Sequence, residues 1–104
     1  MRKHYDKLVR DKIPQIIEDD GKRALVSQIT RGAFKEYALK KLREEVEEFI
    51  QEPSAEEAAD IIEILETICN REAILPDEIK AQRIAKRVTK GAFQMGFLLE
   101  WVED

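Results

Sequence analysis

Phe34-Lys35-Glu36-Tyr37-Ala38-Leu39-Lys40-Lys41-Leu42-Arg43-Glu44-Glu45-Val46-Glu47-Glu48-Phe49-Ile50-Gln51 is the stretch that decides the fold. Its apolar positions Phe34, Ala38, Leu42, Val46, Phe49 and Ile50 recur in steps of three and four, the period of one helix face. Pro53 stops this helix, because proline lacks the backbone donor that a continuing turn needs. Ser54, with Glu57 three residues later, has the spacing of a capping box that opens a second helix. That helix runs to about Asn70 and carries Ala58, Ile61, Ile62, Ile64, Leu65 and Ile68 on a wide apolar face. So short a connector predicts antiparallel neighbours. The two helices are the expected central pair of an all-α helical bundle.

The flanks are read outward from this pair. Between Lys7 and Asp20, Leu8, Val9, Ile13, Ile16 and Ile17 have roughly helical spacing, but Pro14 interrupts them. An extended start and a short helix from Pro14, ended by Gly21, are expected. Ala24-Leu25-Val26-Ser27-Gln28-Ile29 is the only β-leaning stretch, a lone strand or an extended connector. Pro76-Asp77-Glu78 opens a further helix with Ile79, Ile84, Ala85 and Val88, ending near Gly91. The apolar tail from Ala92 to Trp101 is expected to pack back on the bundle. With no repeat and no Pro/Gly/Ser linker, residues 1–104 are expected to form one domain.

Composition removes several classes. Apolar residues make up 43% of the chain and charged residues 38%, enough apolar side chains for a core and too periodic for a disordered segment. No apolar run approaches the ~20 residues of a membrane span, and Met1-Arg2-Lys3-His4-Tyr5-Asp6 leads into no signal-peptide core. Cys69 has no partner for a disulfide, so a cytoplasmic location is expected. A single histidine, His4, and a single cysteine leave no His/Cys zinc cluster within one chain and no well-placed Ser-His-Asp triad. Any catalysis falls to carboxylates, lysines and arginines. The net charge of −4 argues against a nucleic-acid polymer as partner.

That net charge hides a strong pattern. Residues 1–43 carry 12 Lys/Arg and 6 Asp/Glu, residues 44–78 carry 1 and 13, and residues 79–104 carry 5 and 3. On helical wheels the acidic middle is ordered. Glu45 borders the apolar arc of the first helix at about −60° from Leu42, with Glu48 beyond it on the same edge and Glu44 and Glu47 nearer solvent. On the second helix Glu57 falls inside the apolar arc and Asp60 flanks it at about −60°. A carboxylate inside an apolar stripe is costly unless it is paired or bound to a cation. Glu45, Glu48, Glu57 and Asp60 are therefore candidate ligands for a hard divalent cation, Mg²⁺ or Mn²⁺, held between facing helices. The plain alternative is a solvated glutamate-rich face, which suits Glu52, Glu56, Glu63 and Glu66.

The basic flanks also admit two roles. Lys7, Arg10 and Lys12 near the N-terminus, and Arg83, Arg87 and Lys90 on the last helix, are either solubilising charges or cations for phosphate oxygens. No P-loop is present among the four glycines, so any phosphate chemistry would be that of a cation held by carboxylates.

Three motifs together resemble a known family. Glu44-Glu45-x-x-Glu48 followed by Glu57-x-x-Asp60 looks like the signature of the MazG-like all-α NTP pyrophosphatases. Tyr5-Asp6-Lys7-Leu8-Val9-Arg10-Asp11-Lys12-Ile13-Pro14 resembles the N-terminal motif of a phosphoribosyl-ATP pyrophosphohydrolase-like branch, whose members are predicted house-cleaning enzymes. Lys90-Gly91-Ala92-Phe93-Gln94-Met95-Gly96-Phe97 resembles its C-terminal element, with Lys90 in place of arginine and Ala92 in place of a second glycine. The resemblance implies Mg²⁺ on Glu45, Glu48, Glu57 and Asp60, with Glu44 and Glu45 as candidate catalytic carboxylates. It implies hydrolysis of a nucleoside triphosphate to monophosphate and pyrophosphate, and assembly as a homodimer or homotetramer. Phosphoribosyl-ATP is an alternative substrate, and a non-catalytic helical module that binds nucleotide or protein is an alternative of another class.

Overall fold

The computed structural model describes all residues, 1–104. It is all-α, with four helices: α1 (Ile13–Asp19), α2 (Arg31–Gln51), α3 (Ala55–Arg71) and α4 (Pro76–Lys90). Each begins where the local chemistry allows. Pro14 lies in the first turn of α1 and Pro76 in that of α4, positions at which the missing N–H has no intrahelical partner to lose. The Thr30 side chain accepts a hydrogen bond from the Ala33 N–H and so starts α2 three residues ahead of Phe34. Ser54 does the same for α3 through the Glu57 N–H. Gly91 follows α4 at φ +87°, a backbone conformation that L side chains rarely adopt.

The expected hairpin of α2 and α3 forms, and it is the extensively packed helix pair of the chain. The connector 52–54 turns the chain straight back, so α3 runs antiparallel to α2. Ala38 on α2 and Ile64 and Cys69 on α3 are the buried apolar residues at this seam. Ala38 has no exposure at all; its small side chain lets the two backbones approach.

Residues 24–29 take the second of the two expected forms, a connector with no strand, since there is no second strand to satisfy a strand's hydrogen bonds. Two expectations fail for one physical reason: a single chain supplies too little surface to cover them. The tail does not pack back: Phe93 is 99% exposed and Trp101 74%, with Phe97, Leu98 and Leu99 also exposed. Leu65 and Ile62 on α3, and Val46 and Ile50 on α2, are exposed although they belong to the apolar faces. The chain is accordingly extended, with a radius of gyration of 18.7 Å and extents of 63 × 31 × 25 Å. A compact chain of this length has a radius of gyration of about 13 Å. No helix is long and apolar enough to cross a membrane.

Candidate metal centre

The α2–α3 hairpin brings the predicted carboxylates to one place. Oxygens of Glu44, Glu45 and Glu48 lie within 4.8 Å of one another, and so do oxygens of Glu45, Glu57 and Asp60. Glu45 belongs to both groups and joins them. It is also the one buried charged residue of the chain, 6% exposed. Its position follows from the sequence: one turn past Lys41 on the edge of the α2 apolar arc, facing α3. Glu57 is fixed from the other side, because the Ser54 hydroxyl holds the Glu57 N–H at 3.1 Å. The capping box remains half made. The Glu57 carboxylate gives the Ser54 backbone no bond in return, and turns to the cluster instead.

Two oxygens in this cluster are buried with no hydrogen-bond partner, Glu45 Oε2 and Glu57 Oε2. Buried acceptors without partners are uncommon and costly. A hard cation that binds oxygens at about 2.0–2.6 Å spans about 4–5 Å between opposite ligands. The spacing of the carboxylates therefore suits one such ion, and the orphaned oxygens supply the unused acceptors. The donor set is all oxygen, which fits Mg²⁺ or Mn²⁺ rather than zinc.

Three cations partly balance the acids. Lys7 Nζ lies 3.0 Å from Glu44 Oε1, and Arg10 Nη2 lies 2.6 Å from Asp60 Oδ1. Both come from the non-helical segment that precedes α1, across 37 and 50 residues of sequence. Lys41, mostly buried with 18% of its side chain exposed, lies 3.5 Å from Glu44 and 3.3 Å from Glu45. Five carboxylates, Glu44, Glu45, Glu48, Glu57 and Asp60, thus face three cations. The cluster therefore keeps an excess of acids over cations.

Protonation follows this arrangement. Burial raises the Glu45 carboxyl above its ordinary value; Lys41 opposes the rise, while Glu48 and Asp60 add to it. Loss of hydration also raises Glu57, aided by the close approach of the Glu48 carboxylate and by the charges of Asp60 and Glu45. Glu44 is burdened by burial too, but the Lys7 hydrogen bond and the Lys41 charge outweigh it and hold the carboxyl below its ordinary value. The hydrogen bond to Glu44 raises Lys7, and the hydrogen bond to Asp60 raises Arg10.

The predicted residues divide clearly. Glu44, Glu45, Glu48, Glu57 and Asp60 converge, joined by Lys7 and Arg10. Lys12 is exposed and makes no ion pair with the cluster, and Arg83, Arg87 and Lys90 are exposed on α4 and make none either. The α4 cations stay away from the acids within one chain because α4 is not part of the packed hairpin. Glu44, expected nearer solvent, is instead drawn into pairs with Lys7 and Lys41. Lys41 is the residue that sequence reasoning missed. Its offsets of three and four from Glu44 and Glu45 were the available signal, hidden among neighbouring lysines that point to water. Glu44, Glu48 and Glu57 of the cluster, with Glu47, Gln51 and Glu52, also line an open, wholly polar surface depression.

No family model, curated protein or solved structure matches this chain.

Proposed function

We propose that the protein is a divalent-cation-dependent nucleoside triphosphate pyrophosphohydrolase, converting a triphosphate to monophosphate and pyrophosphate. One observation carries the proposal: carboxylates from two helices converge with two buried oxygens, Glu45 Oε2 and Glu57 Oε2, that have no partner in the protein. The motif resemblance supplies the reaction class, and the charge arrangement is compatible with it. Glu45, Glu48, Glu57 and Asp60 would hold Mg²⁺ or Mn²⁺. Such an ion polarises phosphoryl oxygens and acidifies bound water. Glu44 and Glu45 are the candidate carboxylates for taking the proton of the attacking water. Glu44 is kept anionic by Lys7 and Lys41. Lys7 and Arg10 stand beside the carboxylates, where a phosphate chain would need counter-charge.

Self-assembly belongs to the same proposal. The extended shape, and the exposed apolar residues of α2, α3 and the tail, suit a homodimer or homotetramer in which a second copy covers them. Assembly also offers the α4 cations Arg83, Arg87 and Lys90 a route to a neighbouring acidic centre.

Pyrophosphate release from a panel of canonical and modified nucleoside triphosphates with Mg²⁺ tests the activity. Turnover of at least one nucleotide is expected, and its loss in Glu57→Gln and Asp60→Asn. Inertness across the panel at high enzyme concentration, with the protein folded and cation-loaded, overturns the proposal.

A further inference from the structure

Arg10 sits on Asp60, one of the carboxylates that would hold a cation, and Lys7 sits on Glu44, whose oxygens lie beside the ligand candidates Glu45 and Glu48. The segment that bears Lys7 and Arg10 precedes α1 and is not helical, so small backbone shifts can reposition both side chains. Their pairs with Glu44 and Asp60 are partly open to water: 39% of the Lys7 side chain and 54% of the Arg10 side chain are exposed. Such pairs are weak and exchange readily. Lys41 differs, being mostly buried and shared between two carboxylates of its own helix.

A bare divalent cation entering this centre meets the positive charge of Lys7 and Arg10, and finds Glu44 and Asp60 engaged. A cation that arrives together with linked phosphates meets a different situation. The phosphate oxygens give Lys7 and Arg10 new partners, with the guanidinium suited to two-pronged contact; Asp60 is released to the ion and Glu44 is freed beside it. We propose that Lys7 and Arg10 couple cation binding to polyphosphate binding, so that the centre selects a cation accompanied by linked phosphates over a bare one. The proposal rests on the cation-centre reading given above and adds the selectivity of that site. Lys7 and Arg10 are its specificity-determining residues, and by linkage each ligand tightens the other by the same factor.

The test uses Mn²⁺ and inorganic pyrophosphate, which carries two linked phosphates and no base. Calorimetry measures Mn²⁺ affinity alone, and pyrophosphate affinity without and with Mn²⁺, corrected for their association in solution. The intact chain is expected to bind pyrophosphate about fivefold or more tightly when Mn²⁺ is present. In Lys7→Gln with Arg10→Gln, bare Mn²⁺ is expected to bind more tightly than in the parent, and the enhancement of pyrophosphate binding to shrink to what direct ligation of the ion supplies. Unchanged or weaker Mn²⁺ affinity in the double variant, or a preserved enhancement, overturns the coupling and leaves the cation centre standing. Failure of the parent protein to bind Mn²⁺ at all overturns the centre itself and the coupling with it. Far-ultraviolet circular dichroism verifies the helices. Should the double variant lose them, Lys7→Gln and Arg10→Gln are measured singly against the same criteria.

Discussion

Replacing Glu45 by glutamine is expected to stabilise the cation-free protein while removing its response to divalent cations. Glu45 is 6% exposed, one of its oxygens has no partner, and Glu48, Glu57 and Asp60 surround it. A buried polar atom left without a partner costs about 1–3 kcal/mol; glutamine removes the charge and brings an amide N–H that can donate to the surrounding Glu48, Glu57 or Asp60 oxygens. The opposing loss is the ion pair with Lys41 at 3.3 Å. An i,i+4 helix pair is worth about 0.3–0.5 kcal/mol, and Lys41 keeps Glu44 at 3.5 Å as a second partner. The gain therefore exceeds the loss, and a net stabilisation of about 1 kcal/mol follows. For a domain of this size that raises Tm by about 4–8 °C. The assay is thermal unfolding followed by circular dichroism, at one fixed protomer concentration because assembly shifts Tm, with and without Mg²⁺. The parent is expected to gain stability from Mg²⁺, and Glu45→Gln to gain far less. If Glu45→Gln instead lowers the cation-free Tm by several degrees, the residue is a structural half of the Lys41 pair and the reasoning fails. A residue that costs stability where it stands is a mark of function.

Further outcomes follow from the same geometry. Glu45 and Glu57 have raised values, so the folded protein holds protons that the unfolded chain releases. Their contribution is full below the ordinary glutamate range and is lost as pH rises through the raised values; Glu44, being lowered, acts in the opposite sense and loses its contribution as pH falls. The cation-free Tm of the parent, relative to Glu45→Gln with Glu57→Gln, is thus expected to fall as pH rises above about 4.5, and saturating Mg²⁺ to flatten the slope. A difference that rises over that window contradicts the assignment. Ser54→Ala removes the hydroxyl that holds the Glu57 N–H at 3.1 Å; a loss of about 1 kcal/mol is expected in thermal unfolding, together with weaker Mn²⁺ binding because Glu57 loses its anchor. Sedimentation should give twice or four times the 12.1 kDa chain mass. Iodide quenching of Trp101, 74% exposed in one chain, should be weak if a second copy covers the tail. A monomer with a fully quenched Trp101 would remove self-assembly from the proposal.

Local signals were enough for the helices. Prolines at 14, 53 and 76, the Ser54 cap, and the steps of three and four in α2 and α3 are properties of neighbours in sequence. They therefore read correctly in isolation; the Thr30 cap did not, and α2 begins three residues ahead of the expected Phe34. The wheel phase of Glu45 and Glu57 was legible for the same reason: an α-helix converts spacing into direction.

What the sequence determined by itself was the set of helices and which carboxylates lie on the inward edge of the central pair. Tertiary structure decided the partners. Lys7 and Arg10 reach Glu44 and Asp60 over 37 and 50 residues, and no spacing rule links positions so distant. Lys41 was singled out from Lys40 only by the packing that buries it. The choice between strand and connector at 24–29, and the failed expectation of a tail folded onto the bundle, both concern short apolar stretches. Periodicity reveals that such a stretch needs covering and leaves its cover unnamed, because burial depends on whichever surface arrives from elsewhere.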